Sequence, residues 1–230
     1  RDGVMAVGFT PIGLGMYYFG MDGKMLTGFQ NINGLSYFFA ADGAMYTGFL
    51  DMPDGRRFFS TDGHMLVGLD VIDNKYYYFD VNGIMQTGWQ TIGDQTFLFA
   101  ADGSMAYGWF NDGTYTYYLS MTDGHRVTGW QTIDGKTYFF DELGRMQTGA
   151  VTLANGLSYL FAPDGVLYTG WFNDGATVKY YEADGHMAIG LVTINDSIYY
   201  FDINGNMQTG IVEIDGIPYI FDVDGRMISQ

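Results

Sequence analysis

Residues 129–148 read GWQTIDGKTYFFDELGRMQT, and units of this kind follow one another along the whole chain. Two runs of β-prone residues, 130–133 and 136–140, flank the dipeptide Asp134-Gly135. A dipeptide of this type between such runs is typical of a tight hairpin turn, because that turn needs positive φ at both central residues. Each unit is therefore predicted to form one β-hairpin.

Two series of glycines mark the repeat, at a constant interval that is slightly longer in two places. A lone two-stranded hairpin is marginal in water, so the units must stack and share a core. We therefore predict an all-β fold, a β-solenoid of about 11 stacked hairpin repeats that forms a single repeat domain over residues 1–230. We also expect the chain to be a piece of a longer secreted protein. The glycines that open the hairpins are Gly8, Gly28, Gly48, Gly68, Gly88, Gly108, Gly129, Gly149, Gly170, Gly190 and Gly210.

A longer period of about three units lies over the first. Asp-Gly-His ends at His64, His125 and His186, which are equally spaced. We name the hairpins by this order: type A begins at Gly48, Gly108 and Gly170, type B at Gly8, Gly68, Gly129 and Gly190, and type C at Gly28, Gly88, Gly149 and Gly210. Either three hairpins complete one turn, so that like types line up, or a three-unit block was duplicated without geometric meaning.

Two recurrent apolar positions predict the core. One is the Met two residues after the second glycine of the unit, and the other is the Phe that ends the second strand. Recurrence in nearly every copy indicates scaffold rather than site. The phenylalanines are Phe19, Phe39, Phe59, Phe79, Phe99, Phe140, Phe161, Phe201 and Phe221.

Type A hairpins differ from the others and supply the candidate binding residues. They carry Met52, Asp112 or Asp174 where types B and C have Ile or Leu, and we expect the two hairpins with Asn111-Asp112-Gly113 and Asn173-Asp174-Gly175 to turn early. Aromatic residues stand on both sides of their opening glycine, which predicts a row of pockets at each C-to-A junction. The candidate ligand-binding residues are Tyr46, Phe49, Tyr107, Trp109, Asn111, Asp112, Tyr117, Tyr168, Trp171, Asn173, Asp174 and Tyr180.

Charge and composition exclude several classes of partner. Ten Lys and Arg against 26 Asp and Glu give a net charge of −16, which opposes nucleic acid, since Lys and Arg contacts to phosphate supply most of that affinity. No apolar run approaches the roughly 18 residues of a membrane span, so no membrane insertion is expected. The absence of Cys removes disulfides and thiolate metal sites.

Catalysis, cofactors and metals are not predicted. The carboxylates stand mostly in repeated turn positions, and no catalytic motif is present. The three histidines are expected to be exposed loop residues without a nearby partner. Asp-x-Asp-Gly at 222–225 is interpreted as a plain turn, because the later ligands of a calcium loop are missing.

The pattern from Gly129 to Gly149, with its phased copies over essentially all 230 residues, resembles the cell-wall-binding repeat superfamily. That superfamily includes choline-binding modules, glucan-binding repeats and the receptor-binding repeats of clostridial toxins. The resemblance implies a left-handed β-solenoid that is non-catalytic and secreted or on a bacterial surface, while three repeats per turn is the simplest interpretation of the longer period. It also implies a flanking catalytic or adhesive domain and ligands held between consecutive hairpins.

Three functions stay open on the sequence. The negative charge favours a cationic choline group on teichoic acid, boxed by aromatic rings. Tyr replaces Trp early in the second strand and aromatics are lost from many B and C copies, so few complete three-ring boxes are expected. A neutral glycan, such as a cell-surface glycan, α-glucan or cell-wall polysaccharide, is therefore preferred over choline. The third function is a structural spacer or assembly stalk, and exposed end hairpins indicate possible end-to-end self-association.

Overall fold

The computed structural model describes residues 5–229, so Gly3, the first glycine of the repeat pattern, lies outside it. The described residues form 23 β-strands in eleven antiparallel sheets. Ten sheets are two-stranded hairpins, and the last has a third strand. None of these residues forms a helix that could cross a membrane.

The strands follow the repeat closely. The first ten are β1 Gly8–Ile12, β2 Gly15–Phe19, β3 Gly28–Ile32, β4 Leu35–Phe39, β5 Gly48–Met52, β6 Gly55–Phe59, β7 Gly68–Ile72, β8 Lys75–Phe79, β9 Gly88–Ile92 and β10 Gln95–Phe99. The others are β11 Gly108–Asn111, β12 Thr116–Leu119, β13 Gly129–Ile133, β14 Lys136–Phe140, β15 Gly149–Thr152, β16 Ser158–Phe161, β17 Gly170–Asn173, β18 Val178–Tyr181, β19 Gly190–Ile194, β20 Ser197–Phe201, β21 Gly210–Ile214, β22 Ile217–Phe221 and β23 Met227–Ser229.

The chain divides into two compact units. The first contains residues 5–108 and 119–126, and the second contains residues 109–118 and 127–229. Each unit is a succession of the predicted hairpins, so the predicted all-β fold of stacked hairpin repeats is confirmed.

The hairpin turns have the predicted backbone. Asp134 and Gly135 both have positive φ, 50° and 75°, as a two-residue turn matched to the twist of the strands requires. Two of the three type A hairpins do turn early, since β11 and β17 end at Asn111 and Asn173. In the first type A hairpin, for which no early turn is predicted, Met52 pairs with Gly55 and the strands keep their full length.

Stacking uses the connections between hairpins. After β8, the amide of Met85 donates to the carbonyl of Arg56 in the preceding hairpin at 2.7 Å, and that of Gln86 donates to Tyr78 of its own hairpin at 2.7 Å. The same arrangement recurs in the second unit, where Leu167 donates to Thr137. Each connection thus joins its own hairpin to the one before it.

The predicted phenylalanines form the centre of the core, and most of them are fully buried, with buried isoleucines and tyrosines packed beside them. The predicted methionines are mostly half-buried instead, and Met25 is 42% exposed. The reason is that each methionine lies against the glycine of the next connection, as Met65 does at Gly83, at the edge of the core rather than inside it. The fully buried side chains are Phe39, Phe59, Phe79, Phe99, Leu119, Phe140, Phe161 and Phe201.

Candidate functional site: three-ring sets between hairpins

In seven of the eleven hairpins the first strand presents an aromatic ring at its second residue. Because paired residues of an antiparallel ladder point to the same face, that ring meets the side chain opposite it on the second strand. Trp130 lies opposite Phe139, with ring centroids 5.0 Å apart and planes at 64°. Trp171 lies opposite Tyr180 at 5.0 Å and 63°.

The following hairpin adds a third ring from the middle of its second strand. Tyr159 contacts Trp130 at 5.0 Å and 68°, and Tyr199 contacts Trp171 at 4.9 Å and 68°. These tyrosines are buried, whereas Trp130 is 41% exposed. The result is a corner of three edge-to-face rings, with an exposed first-strand ring over a buried tyrosine.

We call this arrangement a three-ring set and name it by its first-strand ring. Five such sets occur within the described residues: Phe9 with Tyr18 and Tyr37, Phe49 with Phe58 and Tyr77, Trp109 with Tyr118 and Tyr138, Trp130 with Phe139 and Tyr159, and Trp171 with Tyr180 and Tyr199. The expectation that few complete boxes form is therefore wrong, because two hairpins share the walls and Phe or Tyr occupies wall positions as well as Trp.

A cavity of about 390 Å³ adjoins the Trp171 set. Trp171 and Tyr199 form its aromatic wall, and Asp224 supplies a carboxylate. Arg226 also lines it, pairs with Asp224 at 3.1 Å, and has its pKa raised by a hydrogen bond with the Tyr199 hydroxyl. This corner therefore combines ring surface with charged groups.

Four of the predicted residues belong to three-ring sets, namely Phe49, Trp109, Trp171 and Tyr180. Their predicted location at C-to-A junctions is wrong, since Phe49 contacts Tyr77 of the following type B hairpin. Trp109 and Trp171 contact tyrosines of the following type B hairpin, so their sets lie at A-to-B junctions.

The predicted tyrosines before the opening glycine brace the connections. The hydroxyl of Tyr46 donates to the carbonyl of Phe49 at 2.9 Å, and that of Tyr168 donates to the carbonyl of Trp171 at 2.7 Å. Tyr107 is 38% exposed, and burial of its hydroxyl raises its pKa. The ring of Tyr168 contacts Phe172, not the tryptophan.

The predicted polar residues build the wide type A turns. Asp112 accepts hydrogen bonds from the amides of Thr114 and Tyr115 and from the hydroxyl of Tyr117. The amide hydrogen bonds, that of Tyr115 first, lower the pKa of Asp112. Asp174 caps the next such turn in the same way, and Asn111 and Asn173 each accept from the glycine amide two residues later. Their hydrogen-bonding groups are thus engaged within the protein.

Sequence reasoning missed most of the ring partners. Tyr118, not the buried Tyr117, is the counterpart of Tyr180, because side chains alternate between faces along a strand. Strand alternation could have found the opposite ring from the sequence. The third ring depends on the stacking of two hairpins and carries no local signal. The missed residues are Phe9, Tyr18, Tyr37, Phe58, Tyr77, Tyr118, Trp130, Phe139, Tyr138, Tyr159 and Tyr199.

The histidines do have partners, contrary to the expectation. Nδ1 of His64 lies 2.7 Å from a carboxylate oxygen of Asp62, and His125 and His186 make the same contact with the aspartate two residues before them. Each is a turn pair within one connection. Over residues 5–229, no cluster of three or more His, Asp or Glu side chains is placed to hold a metal ion.

Comparison with known proteins identifies the repeats. A family model described as a choline-binding repeat matches residues 86–126 and 127–165, and one described as a putative cell wall binding repeat matches residues 27–45, 72–85 and 189–207. Together the two models match more than half of the chain. A search of curated proteins found no significant match.

Solved structures share the fold. Choline binding protein F from Streptococcus pneumoniae superposes with a TM-score of 0.77 at 23% identity, covering 97% of this chain and 93% of that one. CbpJ from Streptococcus pneumoniae TIGR4 gives 0.67 at 25% identity, covering 96% and 94%. The modular autolysin LytC from Streptococcus pneumoniae, solved with a synthetic peptidoglycan ligand, gives 0.61 at 19% identity, covering 97% and 53%. These structures share the fold, and the repeat models that match more than half of the chain show that it belongs to the superfamily of choline-binding and cell-wall-binding repeats.

Proposed function

We propose that this chain is a non-catalytic module that holds choline groups of a bacterial cell-wall polymer in its three-ring sets. The observation that carries the proposal is the number and geometry of these sets. Each offers ring faces at a corner between hairpins, and a quaternary ammonium is attracted to such faces within about 6 Å of a ring centroid.

The charge of the chain supports a cationic ligand. With 26 acidic against 10 basic side chains, the field at the surface favours a cation, although it is screened within about 8–10 Å at physiological salt. Charge and ring geometry now favour the same ligand class. We therefore propose choline ahead of a neutral glycan. The neutral glycan is preferred from the sequence only because few complete three-ring boxes are expected there.

A cell-wall carbohydrate is the second candidate ligand. A cavity of about 460 Å³ in the second unit is lined by hydroxyl and amide groups of Thr114, Thr116, Gln147 and Thr148. The ring of Tyr115 borders it and is 43% exposed. Asp141 and Arg145 also line it, and the guanidinium carbon of Arg145 lies 5.0 Å from the centroid of the Tyr115 ring. A neutral sugar would hydrogen-bond to these hydroxyl, amide and charged groups, and a polymer that carries choline on sugars would use both sites.

The module would attach a secreted bacterial protein to a surface through these contacts. We propose flanking catalytic or adhesive domains in that protein, as the resemblance to cell-wall-binding repeats implies. End-to-end self-association stays a prediction. A spacer without ligand is the alternative, and the experiment below separates it from a binding module.

The test is retention on a quaternary-amine resin in about 1 M salt, where screening within about 3 Å removes simple ion exchange. Choline chloride should elute the protein, and the same added concentration of sodium chloride should not. Trp130→Ala should weaken its own set roughly 2- to 30-fold, because a ring contact with a cation contributes about 0.5–2 kcal/mol. Trp130→Phe should retain most of the binding.

Combined replacement of Trp109, Trp130 and Trp171 by Ala should abolish most retention, since the sets act together on a multivalent surface. Tyr115→Ala is the matched control, because it removes an exposed ring outside the sets. It should leave choline elution unchanged and weaken only retention on a choline-free polysaccharide. Elution of the folded triple variant at the wild-type choline concentration would refute the proposal.

A further inference from the structure

The first-strand rings differ in whether the chain places its own guanidinium over them. The guanidinium carbon of Arg57 lies 5.5 Å from the ring centroid of Phe29, and that of Arg126 lies 5.5 Å from Trp89. Arg56 lies over Phe49 at 4.3 Å. Within residues 5–229, no guanidinium or ammonium lies over the ring of Phe9, Trp109, Trp130 or Trp171. Arg226 lines the cavity beside the Trp171 set, but it pairs with Asp224 and does not lie over that ring.

Arg57 is the most firmly held of these cations. It is 5% exposed, the lowest exposure of any charged residue that the structure describes. Its Nη1 and Nη2 donate to the two carboxylate oxygens of Asp54 at 2.8 and 2.7 Å, a bidentate pair. Its Nε donates to the carbonyl of Asn82 at 3.2 Å. These three hydrogen bonds hold the guanidinium beside Phe29.

The strand position of Arg57 is the one that supplies the third ring elsewhere. Arg57 is the third residue of β6, as Tyr37 is of β4 and Tyr77 is of β8. Phe29 has its opposite ring, Phe38, at 5.1 Å and also contacts Phe59 at 6.3 Å. The guanidinium therefore stands where the third ring would complete a set around Phe29.

In the second unit, Lys179 likewise places a cation at the strand position that elsewhere carries the third ring. It is the second residue of the four-residue strand β18, one place before Tyr180, as Arg57 is one place before Phe58. Its Nζ donates to the carbonyl of Asn204, at the same separation along the chain as that from Arg57 to Asn82. The first-strand residue of the preceding hairpin is Ala150, so that position has no ring to cover.

We propose that Arg57 is a built-in occupant of the Phe29 site that excludes quaternary ammonium ligands from it, so that choline is taken only by sets without such an anchored cation. This inference rests on the proposed function. A ligand at Phe29 would have to displace a cation that is held by a bidentate carboxylate and a carbonyl, or accept a like charge beside it. Arg56 over Phe49 is 41% exposed and can swing away, so that set is hindered less.

The test uses fluorine NMR of protein labelled with 5-fluorotryptophan. Phe9→Trp and Phe29→Trp, made separately, each add one resonance at the same strand position of neighbouring hairpins. These two phenylalanines are similarly exposed, 41% and 47%, and differ in the anchored cation. Choline chloride is the ligand, and sodium chloride at equal concentration corrects for ionic strength.

The resonance added at position 9 should shift with saturation, and the one added at position 29 should need at least about tenfold more choline, or not shift at all. Adding Arg57→Tyr to Phe29→Trp should bring its half-saturation to that at position 9. Arg57→Lys, which keeps a cation, should not. If positions 9 and 29 reach half-saturation at the same choline concentration with Arg57 present, the inference is overturned. This comparison needs no change at Arg57, so it remains a test even if the Arg57→Tyr variant does not fold.

A response at position 29 that Arg57→Tyr leaves unchanged in a folded protein would also overturn the inference. The native tryptophans report on the proposed function separately. If neither Trp109, Trp130 and Trp171 nor position 9 responds, the proposed function fails, and the inference falls with it. If they respond and position 29 responds alike, the proposed function stands and only the role of Arg57 is wrong.

Discussion

The contact between a methionine and the glycine of the next connection should be measurable by replacing two glycines with alanine, one at a time, and comparing the free energies of unfolding of the two variants. Gly83 and Gly88 have nearly the same backbone, φ +73° and +71°. A Cβ at position 83 would lie 2.5 Å from Sδ and 2.8 Å from Cγ of Met65, whereas a Cβ at position 88 would meet nothing within 4 Å. The pair therefore separates backbone strain from steric overlap.

Both substitutions by Ala should cost about 1–2 kcal/mol, because an L-residue is strained in the left-handed region. Gly83→Ala should cost roughly 1–3 kcal/mol more, since Met65 must leave its place in a packed contact. Urea unfolding with unchanged m values would give both free energies of unfolding. Thermal unfolding of the same variants would give the same order.

A double-mutant cycle assigns the excess to the contact. In a Met65→Ala background, Gly83→Ala should cost no more than Gly88→Ala does in the wild type, because the overlapping side chain is gone. Equal costs of the two glycine substitutions in the wild type, within about 0.5 kcal/mol, would refute the reasoning. An excess that persists without Met65 would show that the overlap lies elsewhere.

Two further predictions concern the core and the turns. Phe140→Ala should destabilise the protein by about 3–5 kcal/mol, because this ring is fully buried and its centroid lies 6.0 Å from that of Trp109. Urea unfolding checks this, with replacement of the exposed Leu143 by Ala as the control. The pKa of Asp112 is lowered by the amides of Tyr115 and Thr114, so its stabilisation of the turn is present above the ordinary Asp pKa and lost as the pH falls through the lower folded value. Amide exchange at Thr114 should therefore accelerate below about pH 4 in the wild type, and Asp112→Asn, whose carbonyl oxygen can accept but does not titrate, should show no such pH dependence beyond the intrinsic rate.

The hairpin fold could be predicted from the amino-acid sequence. The glycine period placed each hairpin, the Asp-Gly and Asn-Gly pairs placed several of the turns, and the phenylalanines that end nine of the second strands placed the centre of the core. These features are local, because the alternation of side chains along a strand and the positive φ of a turn depend on residues that are close together in the sequence. The early turns at Asn111 and Asn173 were likewise predictable, since Asp112 and Asp174 cap them from within the same loop.

The three-ring sets, in contrast, could not be predicted from the sequence, because each is completed by a ring from the following hairpin. Tyr138, Tyr159 and Tyr199 join the tryptophans of the preceding hairpin, more than one full repeat earlier in the chain, so no local pattern reports the contact. The role of Arg57 was equally hidden, because an arginine at a tyrosine position has meaning only beside Phe29 of the preceding hairpin. Contacts between repeats depend on how far one hairpin is offset from the next, and the short-range preferences that form each hairpin do not encode that offset.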